Sequence, residues 1–159
     1  MEFVPRSLLQ VAAASQPRDE EIFMRKLRTA VSRNGLTRAV AHGLGISRKE
    51  ASTRVDDCLR FLQMCSRSRY PLTPTRQIDE VWHIFLNMNS YEPDCRRLFG
   101  RTIQHVPSEA GQDKKLRVAR VRSRRMAQLL FGTAFAQGWR EKGQAPCCSN
   151  CSHVLPRLA

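Results

Sequence analysis

Apolar side chains return every third or fourth residue through most of this chain. Nowhere does a useful length alternate with the period of two that a half-buried strand shows. Between Arg18 and Asn34, the residues Phe23, Leu27 and Val31 fall four apart, which predicts a helix, and Gly35 stands where a left-handed cap would end it. A short second helix is expected from Thr37, whose hydroxyl can cap it, with Val40 and Leu44 on one face and Gly45 as its stop. The next begins at Ser47 in "SRKE", a capping box in which Ser47 and Glu50 can satisfy each other's amides. Behind it Ala51, Val55, Cys58, Leu59, Leu62 and Cys65 make the longest apolar stripe of the sequence.

Pro71 and Pro74 punctuate the pattern, with Thr73 as expected cap and Pro74 at the first helical position. A helix from Thr75 to Asn89 then carries Ile78, Trp82 and Phe85 on one seam. Ser90 opens a short helix bearing Tyr91, Cys95, Leu98 and Phe99, and Gly100 closes it; "RTIQHVPSEAGQD" has no period and reads as a loop. The last helix, Lys114 to Phe131, stops at Gly132, and after Trp139 the composition turns to Gly, Pro, Cys and Ser. The expected fold is all-α: a single bundle of about six helices over 18–139, preceded by an extension at 1–17 and followed by a flexible, cysteine-bearing tail at 140–159.

Charge changes this picture. Twenty-seven Lys and Arg against 14 Asp and Glu leave a formal +13, a field that attracts nucleic acid, acidic lipid and acidic protein partners alike, whether or not attraction is the function. The apolar run in "MEFVPRSLLQVAAASQ" is preceded by Glu2 and interrupted by Gln10, unlike a secretory signal, so a cytoplasmic, reducing location is expected for the six cysteines. No stretch reaches the roughly 20 apolar residues of a membrane-spanning helix.

Four constellations carry candidate chemistry. Asp79 and His83 are spaced i, i+4, so both lie on one helix face; with His105 from the following loop they could ligate a divalent metal such as zinc. The competing reading is that Asp79 and His83 only bond each other or nearby backbone. "CCSNCSH" contains Cys148, Cys151 and His153 in a C-x-x-C-x-H arrangement, half of a zinc site. "VAHGLGISRKEASTRV" resembles a DNA-binding helix-turn-helix, in which Ser47, Arg48, Lys49, Ser52 and Arg54 would face the major groove; Ala51 stands where a branched apolar residue usually locks the two helices. In "KKLRVARVRSRR" the cations Lys114, Lys115, Arg117, Arg120, Arg122, Arg124 and Arg125 could meet phosphates. The plainer expectation there is a solvated helix that packs Leu116, Ala119, Met126 and Leu130 inward. No nucleophile elbow, glycine-rich phosphate loop or H-E-x-x-H motif is present, so no catalytic activity is indicated.

The run "LTPTRQIDEVWHIFLNMNSYEPDCRRLFGRTIQHVP" resembles the core motif of the glycine-rich domain-containing protein-like family. The matching positions are Pro74, Thr75, Ile78, Asp79, Val81, Trp82, His83, Tyr91, Cys95, Gly100, Arg101, His105 and Pro107. Similarity extends from about Phe23 to Trp139, through "DDCLRFLQMC" upstream and "RRMAQLLFGTAFAQGW" downstream. The resemblance implies a helical binding or scaffolding module with a polar or metal site at Asp79, His83 and His105. Two family histidines are replaced here, by Phe85 and by Gln104, which implies weakened metal binding or none.

Overall fold

The computed structural model describes residues 31–107 and 113–140, with short pieces at 21–22, 25–26 and 151–152. Five α-helices form among these residues: α1 (Val31–Leu44), α2 (Arg48–Arg67), α3 (Arg76–Leu86), α4 (Tyr91–Phe99) and α5 (Asp113–Ala136). A 3-10 turn, Gln137–Trp139, closes the run. The architecture is a compact all-α one, with α2 at its centre packed against α1, α3, α4 and α5. Encirclement explains why the buried side of α2 is wider than one stripe. Beyond the expected Ala51, Val55, Cys58, Leu59, Leu62 and Cys65, it also buries Phe61, Gln63 and Met64.

Two expectations about α1 are corrected. Gly35 does not end a helix; it lies within α1 and has no left-handed backbone. Thr37 is not a cap, since its hydroxyl donates to the Arg33 carbonyl one turn back. A glycine inside a helix costs about 1 kcal/mol relative to alanine, and the burial of Leu36 and Val40 beside it outweighs that. The true stop is Gly45, at φ 63°. Ser47 then caps α2 by accepting from the Glu50 N–H, but the Glu50 carboxylate pairs with Arg54 instead of closing the box.

At α3 the cap is Thr75, whose hydroxyl accepts from the Ile78 N–H, and not Thr73; the helix ends at Leu86 instead of Asn89. Pro74 therefore precedes the cap. Thr73 is used otherwise: its N–H donates to the Ser123 hydroxyl at 2.8 Å, and its carbonyl accepts from the Trp139 indole at 2.7 Å. Arg122 donates to the Pro71 carbonyl, so the strap before α3 is tied down by α5 and the closing turn. Ser90 precedes α4 without a side-chain capping bond.

Gly132, at φ 84° and ψ 176°, breaks α5 where the sequence predicts a stop, but short helical turns continue to Trp139. Val106–Pro107 pair antiparallel with Cys151–Ser152, in the register Val106 with Ser152. The extension at 1–17, Phe23 and Leu27 of the first predicted helix, and Cys148 and His153 of the tail lie outside the described residues. Among the described residues no helix is long and apolar enough to cross a membrane.

Candidate metal centre

Helix α3 is amphipathic in two directions. Ile78, Val81, Trp82 and Phe85 are buried in the core, each side chain contributing about 1.5–3 kcal/mol. That anchorage carries Asp79 inward as well, to complete burial, while His83 one turn later is 32% exposed. Asp79 sits in the first turn of the helix, where the N-terminal dipole favours a negative group.

His105 arrives from the other side. The chain leaves α4 through Gly100, and Arg101 turns back to donate to the carbonyls of Cys65 and Ser66, satisfying the C-terminal end of α2. Ile103 is buried, and its carbonyl accepts from the Tyr91 hydroxyl, which in turn accepts from the Trp82 indole N–H at 2.9 Å. This Trp82–Tyr91–Ile103 relay fixes the backbone two residues before His105. The imidazole then packs edge-on against the Trp82 ring, 4.5 Å between centroids at 71°.

The outcome is a cluster. His105 Nε2 lies 3.1 Å and His83 Nε2 3.9 Å from the same oxygen, Asp79 Oδ1. The two imidazole rings are 4.6 Å apart, and one donor atom from each of the three residues lies within 4.8 Å of the others. Ligands about 2.0–2.2 Å from a tetrahedral ion stand roughly 3.4 Å apart; the separations here are 3.1 Å, 3.9 Å and no more than 4.8 Å, so the two imidazoles would draw together to hold a cation. Asp79, His83 and His105, singled out from spacing and chain topology, are thus brought together. A carboxylate removed from water holds its charge only beside donors or positive charge, and the partly exposed His83 leaves one side of the cluster open to solvent.

Phe85 is not a gap in this cluster. Two residues past His83 on the helix it points away from it, and its ring stacks edge-to-face on Tyr91 at 4.8 Å. Gln104 is exposed. Among the described residues the thiols of Cys58, Cys65 and Cys95 are free and buried. Burial pushes Cys58 well above the ordinary thiol range, with the neighbouring thiols and Asp79 adding to the effect. Burial likewise raises Cys95 and Tyr91, which keeps both protonated as neutral hydrogen-bonding groups.

The other sequence candidates are placed differently. Ser47 is occupied as a cap, Ser52 accepts from Arg33 at 3.0 Å, and Arg54 pairs with Glu50 and Glu80; Arg48 and Lys49 are exposed. On α5, Lys114, Lys115 and Arg117 face solvent, whereas Arg120, Arg122, Arg124 and Arg125 are half-buried. Arg120 donates to the Trp139 carbonyl, and Arg122 lies 4.8 Å over the Tyr70 ring. Leu116 is half-buried, Ala119 and Met126 are buried, and Leu130 packs against the core. Of the Cys148, Cys151 and His153 cluster, only the backbone of Cys151 falls among the described residues. Tyr91 and Arg101 stood in the motif without a role; an aromatic hydroxyl nine residues after a buried Trp was the available signal for the first. No family model, curated protein or solved structure matches this chain.

Proposed function

We propose that this chain is a basic helical binding or scaffolding module built around a divalent metal site, with Asp79, His83 and His105 as ligands. The convergence of these three donors on the Asp79 carboxylate carries the reading. Two imidazoles and one carboxylate suit zinc, and also non-haem iron. Each imidazole would hold its proton on Nδ1 to offer Nε2 to the ion. The reading also accounts for the motif shared with the glycine-rich domain-containing protein-like family, in which we place this chain: Trp82, Tyr91, Arg101 and His105 serve one locus although they lie far apart in sequence. It keeps a sixth helix before α1, supported by helical backbone at 21–22 and 25–26. Arg48 and Lys49, with the solvent-facing cations of α5, keep a nucleic-acid partner in view as the second reading.

The test is elemental analysis of the full chain after zinc reconstitution and desalting, in a background where Cys148 and Cys151 are replaced by Ser. Stoichiometric zinc should be retained and lost on combining His83→Ala with His105→Ala. Absence of bound zinc, or retention in the double variant, would end the proposal for this metal; the same assay with ferrous iron decides the other.

A further inference from the structure

A groove between α1 and the opening turns of α2 gathers cations from both helices: Arg33 and Arg38 from one, Arg48 and Lys49 from the other. Arg33 is held in place, donating to Asp56 at 2.7 Å and to the Ser52 hydroxyl at 3.0 Å. The carboxylates close at hand are already engaged, Asp56 by Arg33 and Glu50 by Arg54. Arg38, Arg48 and Lys49 are exposed and, among the described residues, their side chains form no ion pair. Like charges directed into one concavity focus a positive potential that only an anion relieves.

We propose that this groove grips the sugar–phosphate backbone of duplex nucleic acid. Exposed, hydrated cations suit a repeating phosphate chain, where binding draws on counterion release; a compact polyphosphate is better held by desolvated donors. Polar Asn34, Thr37 and Ser52 fill the rest of the lining, so nothing there inserts into a lipid surface as an interfacial helix does. The absence of an aromatic ring from the lining favours a duplex over a single strand, which would need stacking platforms. The base-reading set expected from the sequence is also reduced, because Ser52 and Arg54 are held by protein partners. Contacts are therefore to phosphates, which position without specifying sequence. The site rests on and deepens the nucleic-acid reading of Arg48 and Lys49, and it shares no residue with the metal cluster.

The experiment is fluorescence anisotropy of the full chain with a mixed-sequence duplex DNA across a salt series. The groove variant Arg38→Gln, Arg48→Gln, Lys49→Gln is compared with Lys114→Gln, Lys115→Gln, Arg117→Gln, which removes equal charge from α5. The groove variant should lower the slope of log affinity against log salt by about 2.7, near 0.9 for each lost phosphate contact. The α5 variant should change it by less than about 1, and a single strand of equal charge should bind more weakly. Equal losses in both variants, or no loss in the groove variant, would reduce the attraction to net charge and overturn the proposal. So would a groove dependence seen with vesicles of anionic lipid or with inorganic tripolyphosphate and not with the duplex. Unchanged thermal midpoints confirm that the variants fold, as expected for exposed side chains.

Discussion

Asp79 became a candidate from spacing, because an i, i+4 partner is the neighbour a helix provides. Its full burial could not be read from the sequence, since a single polar residue between Ile78 and Glu80 gives no hint that Trp82 will drag it inward. His105 was legible only as the nearest histidine in the following loop, because the bond between Tyr91 and Ile103 that delivers it joins residues with no local pattern. Tyr91→Phe tests this linkage. It removes the acceptor of a buried indole N–H and the donor to a buried carbonyl, and should destabilise the fold by about 1–3 kcal/mol in urea titrations. If the relay holds His105 in place, zinc affinity should fall by about tenfold as well. The buried thiols set an alkaline limit. Cys58 and Cys65 are raised above 9.0, so the unfolded chain releases protons there that the folded chain keeps. Stability should therefore hold below about pH 9 and decline above it, by up to about 1.4 kcal/mol per pH unit for each thiol. Denaturation of wild type and Cys65→Ala between about pH 8 and pH 10 should show a shallower decline in the variant.

Among the helices, stop and start signals differ in how far they can be trusted. Ser47 acts as the cap it resembles, and substituting Ala should cost about 1 kcal/mol, read from the thermal midpoint. Gly35 and Gly45 look alike in the sequence, yet only Gly45 has a positive φ, because Leu36 and Val40 keep α1 running along the core past Gly35. Thr73 and Thr75 are equally able to cap α3; the choice fell to Thr75 because the backbone on both sides of Thr73 is claimed by Ser123 and Trp139. Gly132 occupies a region of φ and ψ that is essentially restricted to glycine. Gly132→Ala should cost about 1–3 kcal/mol and loosen the turn that carries Trp139, visible as a red shift of tryptophan emission.

Across the assembled fold, the closing turn reaches the middle of the chain. Trp139 rests 6.2 Å from Phe61 and 5.4 Å from Phe135, donates to Thr73, and receives Arg120 on its carbonyl. Phe61 in turn packs edge-to-face on Trp82, so the closing turn supports the helix that bears Asp79 and His83. Trp139→Ala should destabilise by about 3–5 kcal/mol in denaturant titrations, more than any single cap. The sequence by itself determined the helical class, the apolar stripe of α2, the break at Gly132 and the nomination of Asp79 and His83, because periodicity, caps and i, i+4 spacing act over one or two turns. Tertiary structure decided which glycine stops a helix, which threonine caps one, and that an imidazole 26 positions beyond Asp79 lies 3.1 Å from its carboxylate. Those outcomes depend on packing between elements distant along the chain, and neighbouring residues carry no record of it.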